Sequence, residues 1–423
     1  MKAVSVQAVS VRAIRTRAAR GRRTPRAAVR FTGRSAGRVA AAMLASAAML
    51  LTACSGGSSH AAATPLSSLG PTEGSLRLLG TPGYLEDGGT DPRVDWVLSF
   101  ERRTGCKVFY TPVPDANSIP AAFTLHGRGF YDGVVAPPAV AGRLIGAGII
   151  APLNTRLVGG YASISREFRT QGAVESGGRT YGLPYVWSSY VLGYAASSVR
   201  PAPSTWSALF DPASAARYAG KIMLPDSPFT IALAAAYLKT AKPSLAISDP
   251  YELNGTQFAA AVALLKSVRR SITRYDSADP QIIDGLASGS AVLGAVLPRH
   301  VDVLDRAGRK IASAAPAQGT TGFADFWLMN ARAPHPNCMY QWLTWSITPR
   351  VQQEVAEWTG TAPVNPAACD GLGRQVCGIY HVADPAYLGK VAFAQIPRRD
   401  CGDGKHDCAG WGEWQTQWRS IVG

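Results

Sequence analysis

Six histidines, at positions 60, 126, 300, 335, 381 and 406, are scattered along a chain of 423 residues. No G-x-S-x-G, H-E-x-x-H or P-loop pattern accompanies them, and no G-x-G-x-x-G opens a helix. The local sequence therefore builds no activated nucleophile, zinc site or phosphate cradle. Triads assemble in space, so a secreted hydrolase stays open as a background reading. The stronger chemistry is recognition. Asp325 follows Gly322 among Phe323, Phe326 and Trp327. An acid among aromatics after a glycine reads as a ligand contact, with a solvated turn as the alternative. Tyr84 follows a Pro-Gly turn after an apolar run, at the edge where open sheets hold ligands. Asp226, in Leu-Pro-Asp-Ser-Pro, either caps the helix after it or touches ligand. Glu86 and Asp87 read as solvated, and Asp132 as support for its strand.

Short apolar runs alternating with amphipathic segments position these residues. Leu76–Leu79, Cys106–Tyr110 and Tyr131–Val135 read as strands. Asp91-Pro92 opens a helix with Val94, Val97, Leu98 and Phe100 inward, and Gly105 ends it. Ala139–Gly146, Ile231–Thr240, Gln257–Arg270, Met339–Thr348 and Trp411–Val422 read as further helices, with Phe258, Val262 and Leu265 on one face. The strand–helix–strand rhythm predicts an α/β sheet. Trp411, Trp414 and Trp418, spaced i, i+3, i+7, read as a packed helix face, as do Trp342 and Trp345.

The formal charge of +15 suggests a nucleic-acid binder, but its distribution argues otherwise. Lys2 and ten arginines lie within residues 1–53, which carry no acid; the 32 remaining bases face 28 acids. Such a basic segment reads as an address. Val39–Leu51 is uncharged and shorter than the roughly 20 residues a span needs. It leads into Leu51-Thr52-Ala53-Cys54 and then Ser-Gly-Gly-Ser-Ser, which resembles a bacterial lipoprotein signal. Cys54 would carry the lipid and residues 54–74 would form a flexible tether. Arg22-Arg23 lacks the apolar residues of a twin-arginine signal. Mean hydropathy of +0.02 and a single apolar run exclude a polytopic membrane protein. Beyond Cys54 six cysteines remain, and an exported chain makes three disulfides the default. Proximity pairs Cys369 with Cys377 and Cys401 with Cys408, leaving Cys106 for Cys338. Fifteen connectivities are formally open, as is a metal site at Cys401, His406 and Cys408.

From Leu76 to about Asn365 the chain resembles the periplasmic solute-binding proteins of ABC importers, specifically the spermidine/putrescine-binding family. The resemblance is carried, in order, by Phe100–Val108, Tyr131–Val135, Arg143–Leu153, Tyr181–Trp187, Ser204–Pro212, Tyr218–Ile222, Leu224–Pro228 and Trp358–Asn365. It implies an α/β, two-lobed periplasmic-binding-protein (Venus flytrap) fold with crossover hinge strands. Lobe one takes 75–188 and 322–365. Lobe two takes 189–319 and 366–423, including a disulfide-rich extension. The family's ligand positions fall on Thr81, Tyr84, Asp226, Phe323, Asp325 and Thr361. Several family aromatics are missing there, so the resemblance implies an amine-bearing solute more firmly than spermidine itself. It also implies permease subunits as partners, no cofactor and no catalysis. The whole reading is of a monomeric extracytoplasmic lipoprotein on the outer face of the cell membrane. The alternative is a surface lipoprotein of the same fold acting as a sensor or structural partner.

Overall fold

The computed structural model describes residues 64–127, 129–401 and 407–423. Residues 1–53, Cys54 and His406 lie outside them. In chain order the strands are β1 (Ser75–Gly80), β2 (Lys107–Pro112), β3 (Gly133–Ala136), β4 (Glu175–Ser176), β5 (Arg179–Thr180), β6 (Gly182–Ser189), β7 (Val191–Ala195), β8 (Ile222–Pro225), β9 (Ile272–Asp276), β10 (Leu293–Val296), β11 (Ile311–Ala314), β12 (Thr320–Met329), β13 (Ala362–Pro363) and β14 (Val391–Phe393). One sheet runs β13-β6-β12-β3-β1-β2, with β14 added beside β12. A second runs β11-β7-β10-β8-β9, and β4 and β5 form a separate hairpin. β3, β6, β8 and β10 are buried along their whole length. That is the pattern of strands covered on both faces, and it explains why they read as continuous apolar runs.

The chain changes sheet at Tyr190, where β6 passes into β7, and again between β11 and β12. β12 is the longest strand. It pairs antiparallel with β6 and β3, while its first three residues pair parallel with β14. Each sheet has its own apolar core, one including Trp96, Phe100, Trp187, Trp327 and Trp342, the other including Trp206, Phe258, Trp414 and Trp418. The cores divide the C-terminal segment. Cys377, Tyr380, Val382 and Leu388 join the first core, and Ala394, Ala409, Trp414 and Ile421 the second.

Two local departures from the sequence reading have clear causes. The first helix begins at Val97, not near Asp91, because the carboxylate of Asp95 accepts from Val97 N and Leu98 N at 2.9 and 2.8 Å. Asp91 instead takes Arg93, and Leu98 faces solvent. The end of the expected tether is fastened to the body. Leu66 packs on the first core, Gly70 N donates to Asn337, and Glu73 accepts from Asn337 N and Cys338 N. Glu73 thus satisfies free amides at the start of the helix Pro336–Ser346, where a negative charge is favoured. Asp132 holds β1 to its neighbour by accepting from Arg77 N at 2.7 Å, a supporting role as expected. Trp414 and Trp418 are buried on one face of the helix Trp411–Val422, as their spacing predicts. Among the described residues no helix is long and apolar enough to cross a membrane.

The disulfides pair Cys106 with Cys338, Cys369 with Cys377, and Cys401 with Cys408. The first spans 232 residues and the last only 7. Chain-entropy arithmetic gives roughly 5 kcal/mol for the long closure and roughly 2 kcal/mol for the short one. Paired alanine substitutions at Cys106 and Cys338 are therefore expected to cost about twice as much unfolding free energy in denaturant melts as those at Cys401 and Cys408. Equal losses would refute the loop-entropy account.

Candidate functional site

β1 ends at Gly80, and the loop after it presents Thr81 and Tyr84. Two tyrosine hydroxyls pin that loop. Tyr110 donates to Thr81 O at 2.6 Å, and Tyr185 donates to Tyr84 O at 3.1 Å. Gly83 sits at φ +95°, in the left-handed region a glycine tolerates, and turns the chain so that Tyr84 points back over the sheet.

Asp325 lies within β12, 3% exposed. Its pairing with β6 is irregular. Asp325 faces Val186 and Phe326 faces Pro184, so Tyr185 is left as the extra residue of a bulge. Pro184 has no N–H to give the ladder, a reason for the register to slip there. The slip aims the Tyr185 hydroxyl at the Tyr84 loop, a re-aiming typical of bulges beside sites. Tyr84 OH in turn donates to Asp325 Oδ2. The second oxygen, Oδ1, is buried without a hydrogen-bond partner among the described residues. Burial pushes the Asp325 carboxyl up to about 6, against the pull of the Tyr84 hydrogen bond and the Arg299 charge. Burial, then the neighbouring Asp325, raises the Tyr84 phenol well above its ordinary value.

Arg299 comes from the other sheet. It stands in the first turn of the helix Pro298–Arg306, immediately after β10. Its Nη2 meets Asp279 Oδ1 at 2.7 Å, and His300 Nε2 lies 2.8 Å from the same oxygen. Its stem packs on Gly360, where a Cβ would lie 3.2 Å from Arg299 Cβ. Tyr190, at the first sheet crossing, is held up to about 12 by burial, tempered by the Arg299 charge. Arg299 thus touches Gly360, and its charge is felt at Tyr84, Asp325 and Tyr190.

Of the residues expected from sequence, Tyr84 and Asp325 meet directly. Thr81 contributes its carbonyl to the loop. Thr361, buried beside Gly360, shares a 2.5 Å hydroxyl contact with Thr359. Phe323 packs half-buried against the second core. Asp226 is exposed and accepts from Trp418 Nε1 at 2.9 Å. It does not cap the next helix, whose first turn is held by Ser227 and Thr230 instead. Glu86 is buried rather than solvated and accepts from Thr90 N. Arg299 was missed. Its signal was Leu-Pro-Arg-His directly after a fully apolar run, at the strand edge where ligands sit. A polar cavity of about 570 Å³, lined among others by Gln171, Lys239, Asp249, Lys390 and Gln395, lies apart from all of these. Cys401, Asp407 and Cys408 cluster closely enough for a metal, but the disulfide consumes both sulfurs.

The family model of bacterial extracellular solute-binding proteins matches residues 95–372. The chain is 24% identical to the putrescine/agmatine-binding protein of Pseudomonas aeruginosa over 313 residues, 70% of this chain and 81% of that protein. It is 23% identical to the spermidine/putrescine-binding periplasmic protein of Escherichia coli over 278 residues, 66% of this chain and 76% of that one. Among solved structures, the spermidine/putrescine ABC transporter substrate-binding protein of Streptococcus pneumoniae superposes with a TM-score of 0.65 at 16% identity, covering 82% of this chain and 99% of that chain. The two sheets and their strand crossovers are the two-lobed binding-protein fold, and this chain belongs to the family of bacterial extracellular solute-binding proteins.

Proposed function

We propose that the protein is the extracytoplasmic solute receptor of an ABC importer, and that it closes its two lobes on a solute bearing a primary amine. The observation that carries the ligand class is the half-used carboxylate of Asp325. One oxygen takes the Tyr84 hydroxyl and the other is buried and free. An ammonium group supplies both the missing donor and the missing counter-charge. The half-buried ring of Tyr84 alongside offers apolar wall to a methylene chain. Relatives named for putrescine, agmatine and spermidine support the amine reading. Lobe one then takes 75–188 and 322–365, and lobe two takes 189–319 with the part of 366–423 that joins the second core. Thr81, Phe323 and Thr361 line the cleft rather than bind charge. Lipidation at Cys54 would keep a monomeric receptor beside its permease.

Asp325→Asn keeps an acceptor for Tyr84 but removes the charge. It is expected to weaken amine binding at least a hundredfold in calorimetric titration at pH 7.5, with the fold intact by circular dichroism. Undiminished binding would remove Asp325 from the site.

The same carboxylate gives a pH signature. Its folded-state pKa stands near 6, above the ordinary 3.8. The unliganded fold therefore gains from the neutral carboxyl below about pH 4 and loses that gain as pH rises through 6. The loss is roughly 3 kcal/mol, and it disappears from the wild-type minus Asp325→Asn difference if the group is not desolvated. Amine affinity runs the opposite way and falls as pH drops below 6. Tyr84→Phe removes the hydrogen bond that lowers this pKa. It is expected to move the binding midpoint to higher pH and to weaken binding about tenfold at pH 7, a loss of the size of one hydrogen bond to a charged group. An unchanged midpoint would mean that the Tyr84 hydroxyl does not act on Asp325.

A further inference from the structure

The amine site accounts for Asp325 but not for Arg299. That guanidinium comes from the opposite lobe, on the first turn of the helix Pro298–Arg306, with its stem against Gly360. Its Nη2 donates to Asp279, which holds the group in place. His300 Nδ1 accepts from Leu297 N at 3.2 Å, so Nε2 carries the proton that goes to Asp279. Asp279 is thus gripped from two sides and orients the arginine. Nε of Arg299 is buried and has no hydrogen-bond partner among the described residues. Among the described residues no ion pair joins Arg299 to Asp325, although its charge is felt at Asp325, Tyr84 and Tyr190. The cleft therefore presents two incomplete groups of opposite sign, a carboxylate oxygen lacking a donor and a guanidinium nitrogen lacking an acceptor. They come one from each lobe.

A protonated polyamine completes only the first. All its polar hydrogens are donors, and it brings further positive charge toward a guanidinium. Arg299 needs an acceptor, and the fork of guanidinium donors favours a carboxylate. The first turn of a helix favours negative charge as well. We propose that the solute is a zwitterion, an amino acid whose ammonium group meets Asp325 and Tyr84 and whose carboxylate meets Arg299. This rests on the amine reading of the cleft and narrows it. Arg299 becomes the residue that separates amino acids from bare diamines.

The test is a calorimetric titration of the full chain at pH 7.5. The panel is β-alanine, 4-aminobutyrate, 5-aminovalerate, putrescine, spermidine and 4-amino-1-butanol. The expected result is that at least one of the three amino acids binds ten or more times tighter than putrescine and than the amino alcohol. Arg299→Gln should erase that margin, and Arg299→Lys should restore part of it. If Arg299→Gln fails to fold, the wild-type ranking decides. Putrescine or spermidine binding tighter than every amino acid overturns the zwitterion and leaves the amine receptor standing. Equal binding of the amino alcohol overturns the carboxylate contact. No binding by any amine overturns both readings together.

Discussion

A carboxylate placed in a strand and closed off from water has to be compensated, and much of this molecule's architecture follows from how Asp325 is treated. Burial alone costs an ionised carboxyl several kcal/mol, which is why its pKa climbs. The Tyr84 hydroxyl returns part of that. For Tyr84 to reach it, the loop after β1 must be fixed, and the hydroxyls of Tyr110 and Tyr185 do this through backbone carbonyls. For Tyr185 to reach that loop, the β6 ladder must slip by one residue, and Pro184 supplies the reason. One buried charge is thus tied to a bulge, a turn and three tyrosines. None of these groups lies outside the first sheet, so the second lobe can move without dismantling them.

The strand crossings set what that movement can be. β6 and β7 are separated by Tyr190 alone, and β12 begins only a few residues after β11. Short connections of this kind let two packed bodies rotate while each keeps its own core, which is hinge motion rather than unfolding. The segment after β13 adds a further constraint, since β14 sits on the first sheet while the helix Trp411–Val422 packs in the second core. That helix also holds Asp226 through Trp418 Nε1. The C-terminal extension thus packs on both lobes.

What could be read from sequence divides along the same physical line. Periodicity exposed elements whose stability is local, such as Trp411–Val422, recovered with its exact residues, and the helix Thr230–Ala241, anticipated as 231–240. The strand-edge position of Tyr84 and the aromatic surroundings of Asp325 were legible because both are properties of a short window. Contacts made across the fold were not. Asp226 looks like a helix cap in its own window, and only the indole of a residue 192 positions later decides otherwise. Glu73 looks like linker until Asn337 and Cys338 arrive. Arg299 has an unremarkable neighbourhood in the chain, and its meaning comes from Gly360 and Asp325 on the other lobe. The long Cys106–Cys338 pair was reached by elimination, whereas the two short pairs followed from spacing.

The two incomplete groups also bear on how such a cleft behaves without a solute. A buried polar atom left without its partner costs about 1–3 kcal/mol. Asp325 Oδ1 and Arg299 Nε each incur that cost in this structure. Where opening lets water reach both, the empty closed form is disfavoured by about 2–6 kcal/mol on this count alone, a factor of tens to tens of thousands in population. A solute that completes both groups removes the penalty at the moment it binds, which makes closure depend on the solute rather than on lobe-to-lobe affinity. A solute that completes one group removes about half. On the proposed reading, discrimination between the two kinds resides in the closing equilibrium as much as in any single contact.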